Sequence, residues 1–149
     1  MERVIHWGTV VGVAWIWVAA VRAHASLPSR IPIHFDLFGR PDGWGPRWMI
    51  FLLPLISVLL LLLWSMIGSG SSSPPLDEGT RSVREPFQLE QRRGFYLLLL
   101  IIVIAFTYLN HQMVEISGGR SIALAKSFLP VFLLALGGAV LWMVLSGTP

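Results

Sequence analysis

The sequence predicts an all-α integral membrane protein with four transmembrane helices and a structured, Pro/Gly-rich loop between the first two. Of the 149 residues, 54% are apolar and 13% are charged, whereas an ordinary soluble domain has roughly 25% charged residues. Four segments supply the roughly 20 apolar residues that a helix needs to cross a hydrocarbon core about 30 Å thick. They are residues 4–21, 48–67, 95–116 and 122–145.

The first span could be taken for a signal peptide, because it is N-terminal and follows Arg3. It carries three tryptophans and is long enough to cross the bilayer. We therefore expect a retained membrane helix, with cleavage at the small residues around Arg22 as the alternative. Gly8 and Gly12 form a Gly-x-x-x-Gly pair, which suits close packing against another helix.

The second span is almost uniformly leucine and isoleucine, with Pro54 in its first third. A proline is tolerated there if a neighbouring group satisfies the carbonyl oxygen that loses its amide partner. Trp48 and Trp64 lie near the two ends of the span, where aromatic side chains meet the membrane interface. We expect this helix to be the most lipid-exposed of the four.

Residues 68–85 are predicted to form a flexible linker, because their first part is rich in glycine, serine and proline. Pro86 is predicted to begin a helix that continues into the third span. The chain thus divides into a two-helix domain at residues 1–67, the linker, and a second transmembrane helix pair at residues 86–149.

The third span ends in polar side chains, which include Asn110, His111 and Glu115. His111 and Glu115 are four residues apart, share one face of the helix and are expected to pair. A tight turn at residues 117–120 makes the third and fourth spans antiparallel neighbours.

The loop at residues 27–47 is dense in turn formers yet keeps aromatic and apolar side chains. Proline lacks an amide donor and glycine tolerates positive φ, so no strand is predicted here. A solvated linker would not carry this much apolar surface. We therefore predict a compact loop on the membrane surface, with a structural or ligand-binding role. Its candidate residues are Pro28, Pro32, His34, Phe35, Asp36, Gly39, Asp42, Gly43 and Trp44.

Residues 28–45 read Pro-x-x-Ile-Pro-x-His-Phe-Asp-x-x-Gly-x-Pro-Asp-Gly-Trp-Gly. This motif resembles the N-terminal domain of unknown function (domain of unknown function 1648) of SdpI-type bacterial membrane proteins. The resemblance covers about residues 27–54, and the C-terminal SdpI motif is not seen after Trp64. SdpI-type proteins give immunity to a secreted peptide toxin and take part in signalling. The resemblance therefore implies a multi-pass protein of the bacterial cell membrane that binds, senses or protects.

The alternative is a metal-dependent membrane enzyme or a small transporter component. His34, Asp36, His111 and Glu115 offer the imidazole and carboxylate ligands that zinc and similar ions take. Their spacing matches no established zinc signature. The simpler interpretation is structural: Asp36 and Asp42 cap turns, and His34 bonds backbone within the loop.

Other chemistry finds little support in the sequence. The chain has no cysteine, so thiolate nucleophiles and thiolate metal sites are excluded. The serines of the linker have no histidine near them in sequence, and no glycine-rich phosphate loop follows a strand. We expect no enzyme, and no cofactor apart from the candidate divalent metal.

Four crossings place the loop and the polar end of the third span on one side of the membrane, and the termini and linker on the other. His24, His34, Asp36 and Asp42 are therefore expected to lie near Asn110, His111 and Glu115. Lysine and arginine counts do not decide the orientation, while the resemblance favours termini inside. The net charge of +3 comes mainly from arginines that flank the spans, which suits anionic headgroups rather than nucleic acid. Expected partners are the lipid bilayer and a peptide or membrane protein.

Overall fold

The computed structural model describes residues 2–69 and 78–146, with side chains described for residues 4–66 and 93–145. Within the described residues, four long helices and a small β-hairpin are found, and all four helices are long and apolar enough to cross a membrane. The predicted class is therefore confirmed. The elements are α1 (Glu2–His24), β1 (Arg30–Phe35), β2 (Pro41–Pro46), a 3-10 helix (Arg47–Phe51), α2 (Leu52–Ser69), α3 (Glu78–Ser117) and α4 (Phe128–Ser146).

Helix α3 is the centre of the bundle, because it contacts each of the other three helices. Glycines allow two of these close approaches. A Cβ on Gly12 would lie 2.9 Å from Val103 of α3, and one on Gly94 would lie 2.7 Å from Met143 of α4. Gly8, the other member of the predicted pair, faces open space. Of the two glycines, only Gly12 therefore allows close packing against α3.

Helix α4, rather than α2, is the most lipid-exposed span. Only 6% of the apolar window of α4 is buried, against 17% in α2. The cause is position: α4 packs mainly against α3, whereas α2 also touches α1 and the 3-10 helix. Leucine content alone does not reveal how many neighbours a helix has.

Two predicted helix starts are wrong. Helix α3 begins at Glu78, eight residues before Pro86. Helix α4 begins at Phe128 rather than at residue 122, which puts Pro130 in its first turn, where a missing amide costs least. The connection, residues 118–127, is thus longer than the predicted tight turn. The core of the predicted linker, residues 70–77, lies outside the described residues.

The loop between α1 and α2 contains two strands, although its prolines and glycines predicted none. β1 and β2 pair antiparallel and form a hairpin at residues 30–46. Both strands of a two-stranded sheet are edges, so a proline can stand where its missing amide faces away from the partner strand. Pro41 opens β2, and Pro32 lies opposite Trp44. Proline content therefore excludes a central strand but not a hairpin.

The carbonyl oxygen freed by Pro54 is satisfied in the way the sequence requires. In a helix the amide of residue 54 would bond the oxygen of Ile50, four residues earlier. Here the Asn110 side-chain Nδ2 of α3 donates to that oxygen over 2.8 Å. Pro54 and Asn110 are both fully buried. A polar side chain of the third span thus supplies the hydrogen bond that is missing at the start of the second span.

The hairpin rests on an apolar cluster at the end of the bundle. The cluster joins Ala20 of α1, Ile31 of β1, Ile50 of the 3-10 helix and Met113 of α3. Ile31 and Ile50 are completely buried. Ile31 lies outside the spans, so its removal from water contributes about 1.5–3 kcal/mol. The hairpin is therefore part of the core rather than a loose surface loop.

Candidate functional site

Asp36 builds the turn of the hairpin. Its Oδ1 accepts hydrogen bonds from the amides of Phe38 and Arg40, each at 2.8 Å. The backbone closes the same turn, because Asp36 donates to the oxygen of Arg40 and Gly39 donates to the oxygen of Asp36. Gly39 has a φ of +77°, a conformation that glycine adopts without steric cost. This is the turn-capping role expected for Asp36.

The turn is tied to the connection between α3 and α4. The amide of Leu124 donates to the oxygen of Gly39 over 2.8 Å. The connection is itself held to α3, because Ala125 donates its amide to the Tyr108 hydroxyl over 2.9 Å. The loop therefore contacts the connection that follows the third span, which puts both on the same side of the membrane, as four crossings predict.

His34 and Asp42 form an exposed pair on the hairpin. His34 Nδ1 lies 2.5 Å from Asp42 Oδ1. Two irregularities in the strand register, on either side of His34, accompany this contact. Asp42 therefore lies within β2 rather than in a turn, and His34 bonds a carboxylate rather than backbone.

Glu115 pairs with Arg120 rather than with His111. Its two carboxylate oxygens accept hydrogen bonds from Arg120 Nε and NH2 at 2.8 and 2.9 Å. This hydrogen bond and the negative charge of Glu115 raise the pKa of Arg120. The chain turns back after α3, so the guanidinium reaches the carboxylate in a two-pronged geometry that imidazole cannot offer.

His111 faces a groove between α1 and α3 rather than the hairpin. The groove has a volume of about 590 Å³ and is almost wholly apolar; Gly8, Gly12, Trp15 and Tyr108 also line it. Its walls belong to two spans, so lipid chains can reach it.

The candidate metal site at His34, Asp36, His111 and Glu115 is not assembled. Three of the four are engaged elsewhere: His34 with Asp42, Asp36 with the turn amides, and Glu115 with Arg120. Among the side chains described, no three of histidine, aspartate or glutamate lie where they could hold an ion. The two regions meet through Ile31 and Met113 instead. The contact between the two regions is therefore apolar.

The remaining candidate residues of the loop differ in burial and packing. Pro32 is fully buried within β1 and Phe35 packs against the apolar cluster. A Cβ on Gly43 would lie 2.8 Å from the Cβ of His34, so this glycine lets the strands approach. Pro28 is exposed just before β1. Trp44 is 46% exposed and lies in β2, two residues after Asp42.

The apolar residues of the hairpin tip were expected within the loop but were not among its candidate site residues. Leu37 and Phe38 are 83% and 77% exposed, and Ile122 of the adjacent connection is 89% exposed. All three lie outside the spans. The run Leu37-Phe38 between Asp36 and Gly39 was the available signal, since turn positions are ordinarily polar.

The domain that the motif suggests is found by comparison with known families. Residues 9–58 match the family model described as Domain of unknown function (DUF1648). The match begins in α1, includes the whole hairpin and ends in α2, so it covers about a third of the chain. No curated protein and no solved structure matches. The match to the DUF1648 model and the four apolar helices together indicate that the chain is a multi-pass membrane protein.

Proposed function

We propose that this protein is a non-enzymatic binding protein of the bacterial cell membrane, in which the outer face of the hairpin engages a peptide or a membrane protein. Binding would serve sensing or protection. One observation carries the proposal: the hairpin is fixed to the core yet keeps polar and aromatic side chains exposed. Those side chains are His34, Asp42 and Trp44.

The rigidity of the hairpin supports this role. Ile31 anchors one face in the apolar cluster, and Gly39 bonds to Leu124 at the tip. A recognition surface that is already ordered loses little conformational entropy on binding. The exposed Trp44 supplies the kind of large, stiff side chain that anchors interfaces.

The open edge of the sheet favours an extended peptide among such partners. β2 has β1 on one side, and none of the helices described makes more than marginal contact with it. A free strand edge offers backbone donors and acceptors to which a peptide adds as a further strand. The hairpin thus offers backbone hydrogen bonds to a peptide beside a face that carries charged and aromatic side chains.

A protection assay tests the proposal. Bacteria with and without the protein are challenged with a fraction of growth-inhibiting peptides secreted by related cells. We expect the wild-type protein to raise survival, and the His34→Ala/Asp42→Asn and Trp44→Ala variants to lose most of this effect at equal expression. Leu134→Ala, which changes a lipid-facing residue of α4, should behave as wild type.

Two results would contradict the proposal. Survival that does not depend on the wild-type protein would remove the protective role. Full protection by both hairpin variants would show that the outer face of the hairpin is not the binding surface.

A further inference from the structure

We infer that the hairpin tip docks into the anionic lipid headgroups of its own membrane leaflet, with Leu37 and Phe38 inserted and arginines bound to phosphates. This inference goes beyond the proposed function and does not require it. Docking uses the tip, whereas partner binding uses the outer face around His34 and Trp44.

The hairpin has no spacer that could lift it from the membrane. β2 ends at Pro46, and the second span begins at the next residue, Arg47. On the other side, five residues separate the end of α1 at His24 from Arg30 of β1. Trp48, which is 57% exposed, marks the interface at this point, because tryptophan favours the headgroup level. The base of the hairpin therefore lies at headgroup depth, and the bond from Leu124 to Gly39 holds the tip against the connection between the third and fourth spans.

The apolar tip is exposed because the fold holds it there. Asp36 fixes the amide of Phe38, and Gly39 is bonded to Leu124, so the turn cannot fold Leu37 and Phe38 inward without breaking these bonds. Ile122 lies on the connection that the tip touches. Exposed side chains of this kind gain free energy when they enter the boundary between headgroups and acyl chains.

The charge of the molecule is concentrated on the same side. The hairpin side carries six basic and three acidic residues, and the other side carries five of each, so the net charge of +3 belongs to the hairpin side. Two of its three carboxylates are paired, Asp42 with His34 and Glu115 with Arg120, and that of Asp36 binds the turn amides. The remaining basic side chains are exposed: Arg22, Arg30, Arg40, Arg47 and Lys126.

This combination selects an anionic lipid surface. Basic residues at a membrane surface each contribute about a fivefold increase in binding to anionic lipid. Arg40 directly follows the tip glycine, and Arg30 lies at the start of β1. Their guanidinium groups can donate several hydrogen bonds to phosphate oxygens. Insertion of the apolar tip and phosphate binding therefore support each other.

A fluorescent label at the tip tests the inference. The chain has no cysteine, so Leu37→Cys accepts one environment-sensitive dye. The full chain is reconstituted in phosphatidylcholine vesicles with and without phosphatidylglycerol, and with lipids that carry a quencher just below the headgroups. We expect blue-shifted, quenched emission with phosphatidylglycerol, and a partial return towards water-like emission in high salt.

Matched charge variants locate the effect. Arg30→Gln/Arg40→Gln should lower the ratio of quenched to unquenched label roughly 25-fold at limiting phosphatidylglycerol. Arg81→Gln/Arg84→Gln makes the same change in net charge on the opposite side and should leave the ratio unchanged. Circular dichroism of each variant shows that the fold is retained.

Three results would overturn the inference. Water-like emission in both vesicles would show that the tip does not enter the membrane. Equal quenching in both would remove the requirement for anionic lipid. A blue-shifted label that lipid quenchers do not reach would show that a protein, such as a second copy, covers the tip.

Discussion

Asn110 and Pro54 act on the same carbonyl oxygen, that of Ile50. Proline removes the amide that this oxygen would have used, and the asparagine side chain replaces it over 2.8 Å. Because the site is buried, an unsatisfied oxygen would cost about 1–3 kcal/mol. One residue on α3 thus compensates for a residue on α2 that is distant in sequence.

This coupling predicts a non-additive pair of substitutions. Asn110→Ala should lower the free energy of unfolding by about 1–3 kcal/mol. In a Pro54→Ala background the amide of residue 54 can again serve Ile50, so the cost of Asn110→Ala should fall below about 1 kcal/mol. Unfolding in mixed micelles with increasing denaturing detergent measures both values.

Thr107→Ala is the matched control at the residue scale. The Thr107 hydroxyl bonds the oxygen of Val103 within its own helix, so its loss should change stability by less than about 0.5 kcal/mol. Equal costs of Asn110→Ala with and without Pro54 would show that the two residues are not coupled.

At the scale of the element, the hairpin turn combines a left-handed backbone with a close contact. Gly39 and Gly119 both have positive φ, +77° and +72°. A Cβ on Gly39 would lie 2.9 Å from the Leu124 Cβ, whereas one on Gly119 would meet open space. Substitution of Gly119 therefore tests backbone strain alone, whereas substitution of Gly39 tests strain together with steric crowding.

We expect Gly119→Ala to cost about 1–2 kcal/mol, the strain of a left-handed residue that has a Cβ. Gly39→Ala should cost more, because the hairpin must also move away from the connection. The melting temperature in detergent and cysteine reactivity at Leu37→Cys measure stability and displacement of the tip. Equal losses at both positions would show that the contact between Gly39 and Leu124 does not fix the hairpin.

Much of this element could be predicted, and the limit is physical. The motif at residues 28–45 predicts a structured loop, and Asp36 caps its turn as expected. The pairing of His34 with Asp42 and of Glu115 with Arg120 could not be read from spacing. Whether two charged side chains meet depends on strand register and on where the chain turns, and both are fixed by packing.

At the scale of the whole molecule, four spans fix which segments share a side of the membrane. The bonds from Leu124 to Gly39 and from Asn110 to Ile50 require the hairpin and the end of α3 to lie on one side. The cysteine-free chain allows this arrangement to be mapped with single cysteines.

We expect Ser29→Cys and Lys126→Cys to react with an impermeant thiol reagent from the same side of the membrane, and Ser72→Cys from the opposite side. The measurement uses intact cells and inverted vesicles, with detergent-solubilised protein to show that every cysteine can react. Reaction of Ser29→Cys and Lys126→Cys from opposite sides would contradict the four-span arrangement and the packing of the hairpin on α3.

The sequence by itself determined that the chain has four helices apolar enough to cross a membrane, and a turn-rich segment between the first two that matches the DUF1648 family model. Apolar content and local turn chemistry decide these features, and both can be read within a short window. The tertiary structure alone decided that the loop is a hairpin, that Asn110 serves Ile50, and that Leu37 and Phe38 remain exposed. These outcomes depend on contacts between residues far apart in sequence. Such contacts form only when α3 packs against the hairpin and the start of the second span.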